Sequence, residues 1–168
     1  RDGAPDSLRL KFVFARVPLR SYLTLAVFLV VVVGGGLAIG FVTLPGEWYA
    51  SLAKPAFNPP NWVFGPIWTV LYVVIAIAGW RIWEHDTRGT AMKLWVAQLA
   101  LNFAWSPVFF GAQMPLQALF IIIALLATTV LFISRTYHSD HLAAGLFVPY
   151  ALWVAFATLL NASIVLLN

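Results

Sequence analysis

The chain has 168 residues, of which 62% are hydrophobic and only 10% charged, with a mean hydropathy of +0.89 and a formal net charge of +4. Ordinary soluble domains carry roughly 25% charged residues, so this much apolar surface exceeds what a core of this length can hide, and the bilayer has to act as solvent. The chain contains no cysteine, which excludes disulfides, thiol nucleophiles and thiolate metal sites.

Residues 1–20 form a basic tail with Arg1, Arg9, Lys11, Arg16 and Arg20. Its brief alternation of Leu8, Leu10, Phe12 and Phe14 with polar positions suits either a segment lying on anionic lipid or a plain solvated extension. Residues 21–168 read as one all-α integral membrane domain, a single bundle of five transmembrane helices. The spans are predicted at about 22–43, 62–83, 92–112, 116–135 and 142–166, each near the roughly 20 residues a helix needs to cross. Backbone amides in hydrocarbon must pair internally and the alternation of barrel strands is absent, so helices are the sound assignment. The first run, Tyr22 to Thr43, is longer than a signal-peptide core and shows no cleavage site before Gly34-Gly35-Gly36, so it reads as a span.

Leu44 to Asn61 is the longest connection, rich in proline and without evident secondary structure, which is the usual character of a functional lid. The connections at 113–115 and 136–141 are short, making the third and fourth spans, and the fourth and fifth, antiparallel neighbours. Nine of the ten Lys and Arg residues fall on the N-terminal side and only Lys54 on the other, so the positive-inside rule places the N-terminus in the cytoplasm and the proline-rich loop outside. The positive charge thus concerns topology, and no nucleic-acid partner is expected.

Polar groups within spans are expensive and default to functional candidates. Gln98, Asn102 and Trp105 recur at offsets of four and seven on the third span, as Trp153, Ala157 and Asn161 do on the fifth, and Trp68 and Tyr72 are four apart on the second. Three spans thus offer aromatic faces, two of them with an amide, an arrangement suited to stacking a planar apolar molecule and hydrogen-bonding its rim. The same amides also serve as helix-to-helix glue, worth about 0.6 kcal/mol each, and Trp80, Trp83 and Trp95, near span ends, read as packing and interfacial residues. Pro66, Pro107 and Pro149 are expected to interrupt the second, third and fifth spans, either widening the bundle around a cavity or bending it.

Familiar catalytic constellations are missing. Asp2, Asp6, Glu47, Glu84, Asp86 and Asp140 lie in tails, loops or span ends, as do His85, His138 and His141. No carboxylate pair and no nucleophile with a base is evident within the spans. His138 and His141 lack a third ligand, so no metal site is expected, and axial ligation of a haem iron is disfavoured. A metal-free porphyrin needs no such ligand.

Three long stretches stand out: Lys54 to Tyr72, packed with Pro55, Pro59, Pro60, Pro66, Phe57, Trp62, Phe64 and Trp68; Gln98 to Gly111; and Val148 to Asn161. With Trp48-Tyr49 just upstream, they resemble the signature of the translocator protein family, also called the tryptophan-rich sensory or peripheral benzodiazepine receptor family. The resemblance runs from about residue 22 to the end. It implies a membrane receptor or sensor that binds tetrapyrroles such as protoporphyrin IX in a cavity inside the bundle, with no required cofactor. It also implies that Tyr49, Trp68, Asn102, Trp153 and Ala157 line that cavity, with Trp48, Trp62 and Trp105 as further candidates. Membership implies a bacterial envelope or organellar outer membrane. The Gly36-x-x-x-Gly40 pair serves either homodimerisation, as in the family, or internal packing.

Two other functions stay open. One is transport of porphyrin or sterol-like ligands, although five spans without an inverted repeat do not suggest alternating access. The other is light-dependent porphyrin breakdown, assigned in relatives to tryptophans that match Trp68 and Trp153. The sterol motif of animal members needs Tyr then Arg or Lys after Asn161, and here Asn161 is followed by Ala-Ser-Ile-Val-Leu-Leu-Asn168.

Overall fold

Every long apolar run winds into a helix, because a chain in hydrocarbon satisfies its own amides through bonds along the helix axis. A computed structural model describes residues 18–168; Arg1, Arg9, Lys11 and Arg16 of the basic tail lie outside them. In chain order the helices are α1 (Leu19–Val42), the single turn α2 (Glu47–Ser51), α3 (Asn61–His85), α4 (Thr90–Gly111), α5 (Pro115–Thr136) and α6 (His141–Leu167). All but α2 are long and apolar enough to cross a membrane.

Several boundaries and interruptions differ from expectation. The first helix begins at Leu19 rather than Tyr22, where Pro18 at φ −60° and ψ 144° leads the chain in from an extended conformation. The proline-rich connection is not devoid of regular structure, since α2 folds within it. Pro66 lies in the first turn of the α-helical part of α3, Phe64–His85, where its missing N–H costs nothing. Pro149 is carried inside α6 without breaking it. Only at Pro107 does the expected interruption occur, as α4 passes into a π-helical turn over Pro107–Gly111. A second π-helical turn, Val30–Gly34, divides α1 and had no signal in the sequence.

Around the bundle the spanning helices run in the order α1, α3, α6, α5, α4, which returns to α1. The short connections make α4 with α5, and α5 with α6, packed neighbours. The core is built from Ile75, Ala76 and Ala78 of α3, Ile122 and Phe132 of α5, and Phe147 and Val154 of α6. Trp95, expected near an interface, is buried there, its Nε1 donating to the Ile75 carbonyl at 2.9 Å and its ring packed 5.0 Å from that of Phe28. Gly79 makes room for that indole, because any Cβ at position 79 would overlap it.

At the end remote from α2, polar side chains fasten the helices. Ser21 Oγ donates to Glu84 at 2.8 Å, joining α1 to α3. Arg81 Nε donates to both oxygens of Asp140 at 3.2 and 3.0 Å, joining α3 to α6. Asp140 also caps α6 by accepting from the Ala143 amide at 2.9 Å. Burial alone would raise the Asp140 carboxyl, but the Ala143 amide and the Arg81 guanidinium together hold it below the ordinary 3.8. A carboxyl lowered by folding contributes stability above its unfolded pKa and loses it as pH falls through the folded value. Asp140→Asn is therefore expected to lower the melting temperature at pH 7, with the gap to the native protein closing only below pH 3.8. A gap that is constant from pH 7 to pH 3 would show that the carboxylate charge contributes nothing.

Candidate ligand cavity

Beneath α2, the bundle encloses a cavity of about 470 Å³ walled by the loop-side halves of α1, α3, α4 and α6. That size falls within the roughly 300–1,000 Å³ of sites for drug-sized molecules. Its walls follow from helical spacing. On α3, Trp62, Gly65, Trp68 and Tyr72 come round at three or four residues and line one side. On α4, Asn102, Trp105, Ser106 and Phe109 form the facing side, and on α6 Ala157, Leu160, Asn161 and Ile164 close the back.

Aromatic edges and faces hold this shell rigid. Trp68 stacks on Tyr72 at 5.5 Å and Trp105 on Phe109 at 5.3 Å. The roof is Tyr49 of α2, buried among Phe109 and Phe110 at 6.2 and 5.3 Å, with Lys54 Nζ 4.6 Å above its ring. Burial pushes the Tyr49 hydroxyl above its ordinary value, against a smaller downward pull from Asn58, so it stays a neutral donor. The loop is fastened at a second point, where the Asn168 side chain accepts from Ala53 N at 2.9 Å and donates to Ala53 O at 3.0 Å.

Most amides at the wall are already engaged with protein. Asn161 accepts from Trp105 Nε1 at 3.1 Å and donates to the Pro115 carbonyl at 2.8 Å, which ties α6 to α4 and α5. Asn102 Nδ2 donates to the Tyr150 hydroxyl at 2.9 Å, and that hydroxyl donates to Gln98 Oε1 at 2.8 Å. Asn102 Oδ1, Tyr72 Oη and Trp68 Nε1 have no hydrogen-bond partner among the described residues, and all three side chains line the cavity. No charged residue is among the described lining residues.

Of the residues singled out from sequence, Tyr49, Trp68, Asn102 and Ala157 come together on this wall, as do Trp62 and Trp105. Trp153 does not. Its ring lies outside the wall, edge-on to Phe64 at 5.9 Å and beside Phe156 at 5.6 Å, its buried Nε1 without a hydrogen-bond partner among the described residues. Trp48 faces the other side of α2, where it borders a separate groove with Gln113, Gln117 and Asn168.

Residues 26–167 match the TspO/MBR family. The chain belongs to the TspO/MBR family. It is 43% identical over 152 residues to the tryptophan-rich protein TspO of Archaeoglobus fulgidus, an alignment covering 87% of this chain and 97% of that protein. It is 37% identical over 135 residues to the tryptophan-rich sensory protein of Cereibacter sphaeroides, covering 80% and 85% of the two chains. With the human translocator protein it shares 38% identity over 138 residues, covering 75% and 79%. This TspO/MBR chain is thus a multi-pass membrane protein.

Sequence reasoning missed several wall residues of this TspO/MBR bundle. Tyr72 was not among them, since its offset of four from Trp68 had already put it on that aromatic face. Tyr150, seven residues before Ala157 on α6, is not on the wall but fully buried behind it, bonded to Asn102 and Gln98. Ser106 and Thr43, joined at 2.6 Å between α4 and α1, carried no signal, because nothing in a sequence says which two hydroxyls meet.

Proposed function

We propose that this TspO/MBR protein is a membrane receptor or sensor that binds protoporphyrin IX, and other planar apolar molecules, in the cavity beneath α2. The observation that carries the reading is the wall itself: stacked aromatic rings, three polar atoms on Asn102, Tyr72 and Trp68 with no partner among the described residues, and no charge among the described lining residues. Such a wall suits a flat ring system whose rim offers a donor or acceptor. Carboxylates on that ring belong at the mouth, because an ion left unpaired in an apolar wall costs several kcal/mol. Arg20, Arg81, Arg88, Lys93 and Arg135 cluster at the end away from α2, which supports a cytoplasmic location for that end and an outer location for the roof.

The test is a protoporphyrin IX titration of purified protein in detergent, read by tryptophan fluorescence, with Trp68→Phe and Trp153→Phe measured beside the native chain. Trp68→Phe should weaken binding at least tenfold, about 1.4 kcal/mol, because the indole face and its Nε1 are on the wall. Trp153→Phe should change affinity less than threefold. Equal affinity of all three proteins would mean that porphyrin partitions into the micelle, and the receptor reading would fall. Light-dependent breakdown that engages Trp68 and Trp153 together draws less support, since only Trp68 borders the cavity.

A further inference from the structure

We infer that ligands reach the cavity sideways from the bilayer, through an opening between α1 and α3, and not past the α2 roof; the inference rests on the receptor reading above. The two halves of α1 are fastened to different partners. Its first half lies against α3, with Ser21 bonded to Glu84 at 2.8 Å, whereas beyond the π-helical turn Val30–Gly34 its last turn is joined to α4 by Thr43 and Ser106 at 2.6 Å. Among the described residues no side-chain hydrogen bond ties the second half of α1 to α3. With most of the packing between α1 and α3 made by the first half of α1 and its π-helical turn, the two helices part toward the loop end like the arms of a wedge.

The wedge closes at Gly36, where the Tyr72 ring lies so near that a Cβ would overlap it. Above that point the facing residues are small or lipid-exposed. An added Cβ at Gly40 on α1 or at Gly65 on α3 would meet nothing within 4 Å. Phe41 and Trp62, which border the cavity, are 76% and 74% exposed on the outer surface of the bundle. The cavity wall and the lipid-facing surface are therefore continuous at this seam. The aqueous end is different: Tyr49 is packed into Phe109 and Phe110, and Asn168 clamps the backbone of Ala53.

The chemistry of the ligand follows from the route. A molecule entering here has first dissolved in the leaflet at the loop end, so it is a flat amphiphile or a neutral ring system. It enters ring first, with any carboxylates held at headgroup depth. That agrees with a wall that offers no cation to pair with them among the described lining residues.

The experiment supplies protoporphyrin IX in phosphatidylcholine vesicles to proteoliposomes and follows association and dissociation by stopped-flow tryptophan quenching. Gly40→Trp places a bulky side chain in the seam at a position with open space around it. It is expected to slow both association and dissociation at least tenfold; Gly40 also borders the cavity, so the Kd is free to change, but a side chain that only filled the cavity would speed dissociation and not slow it. The counterpart is a locked roof, Ala53→Cys with Asn168→Cys. The Asn168 side chain already reaches the Ala53 backbone, and the chain has no other cysteine to mispair. With the disulfide confirmed by gel shift, the locked protein should bind and release at native rates. Slowing by the lock, or an unchanged association rate in Gly40→Trp, overturns the lateral route. If the native protein shows no saturable binding, the receptor reading falls and takes this inference with it.

Discussion

Ala157→Phe is expected to weaken protoporphyrin IX binding at least 100-fold, about 2.7 kcal/mol, while leaving the melting temperature unchanged or raised. Ala157 is buried on the back wall, on the same side of α6 as Leu160, Asn161 and Ile164, and its methyl group borders the open volume. A phenyl ring there occupies open cavity volume that a planar ligand needs. Overpacking normally costs about 1–3 kcal/mol, but that applies where no volume is free. Here the added ring covers apolar surface and gains roughly 25 cal/mol for each Å² removed from a polar medium, so stability should not fall. Calorimetric titration beside a thermal melt separates the two effects. Native affinity in a folded Ala157→Phe protein would move the ligand out of this cavity.

Gly79→Ala should have the opposite character: a large loss of stability, about 3 kcal/mol, at a position far from the ligand. Two effects compete. Alanine is favoured over glycine in a helix by about 1 kcal/mol, which alone would stabilise α3. Against it, the new methyl group overlaps the Trp95 indole. That ring cannot simply recede, because its Nε1 is bonded to the Ile75 carbonyl and its other side meets Phe28. Overpacking of about 1–3 kcal/mol and an orphaned buried donor of about 1–3 kcal/mol outweigh the propensity gain. Gly145→Ala on α6 is the control, since nothing lies within 4 Å of its added Cβ and only the propensity gain should be felt. Unfolding in mixed micelles would measure both, and equal shifts of the two variants would refute the packing argument.

The five spans were legible because the bilayer imposes one rule on the whole chain: an apolar run of sufficient length must be a helix. Much of the cavity wall was legible too, since offsets of three, four and seven put Trp68 with Tyr72, and Asn102 with Trp105, on common faces. Periodicity states which residues share a face, not where that face points. Trp153 and Ala157 are four apart on α6, yet Ala157 borders the cavity while Trp153 lies outside its wall, between α6 and α3 against Phe64. Of the two π-helical turns, Pro107 announced an interruption at Pro107–Gly111, whereas Val30–Gly34 was hidden for a related reason: counting by 3.6 assumes an unbroken α-helix, and a run of valines announces no extra residue. The turn α2 was missed because Pro45-Gly46 before it and Pro55 after it mask a helix of only five residues.

The π-helical turn in α1 acts as a phase shifter. Each residue advances an α-helix by about 100°, and a π-bulge amounts to one residue inserted into that count. The half of α1 that follows Gly34 is therefore rotated by roughly 100° relative to an uninterrupted helix. That rotation is what brings Gly36 under the Tyr72 ring and Thr43 onto Ser106 in one and the same helix. Winding the same residues as an unbroken α-helix would turn both contacts away together, whereas removing a single valine from Val30–Val33 would restore an even winding and keep them, because the deletion takes out the residue the bulge absorbs. In this bundle the angular setting of an entire cavity wall is stored in the winding of one short run of valines.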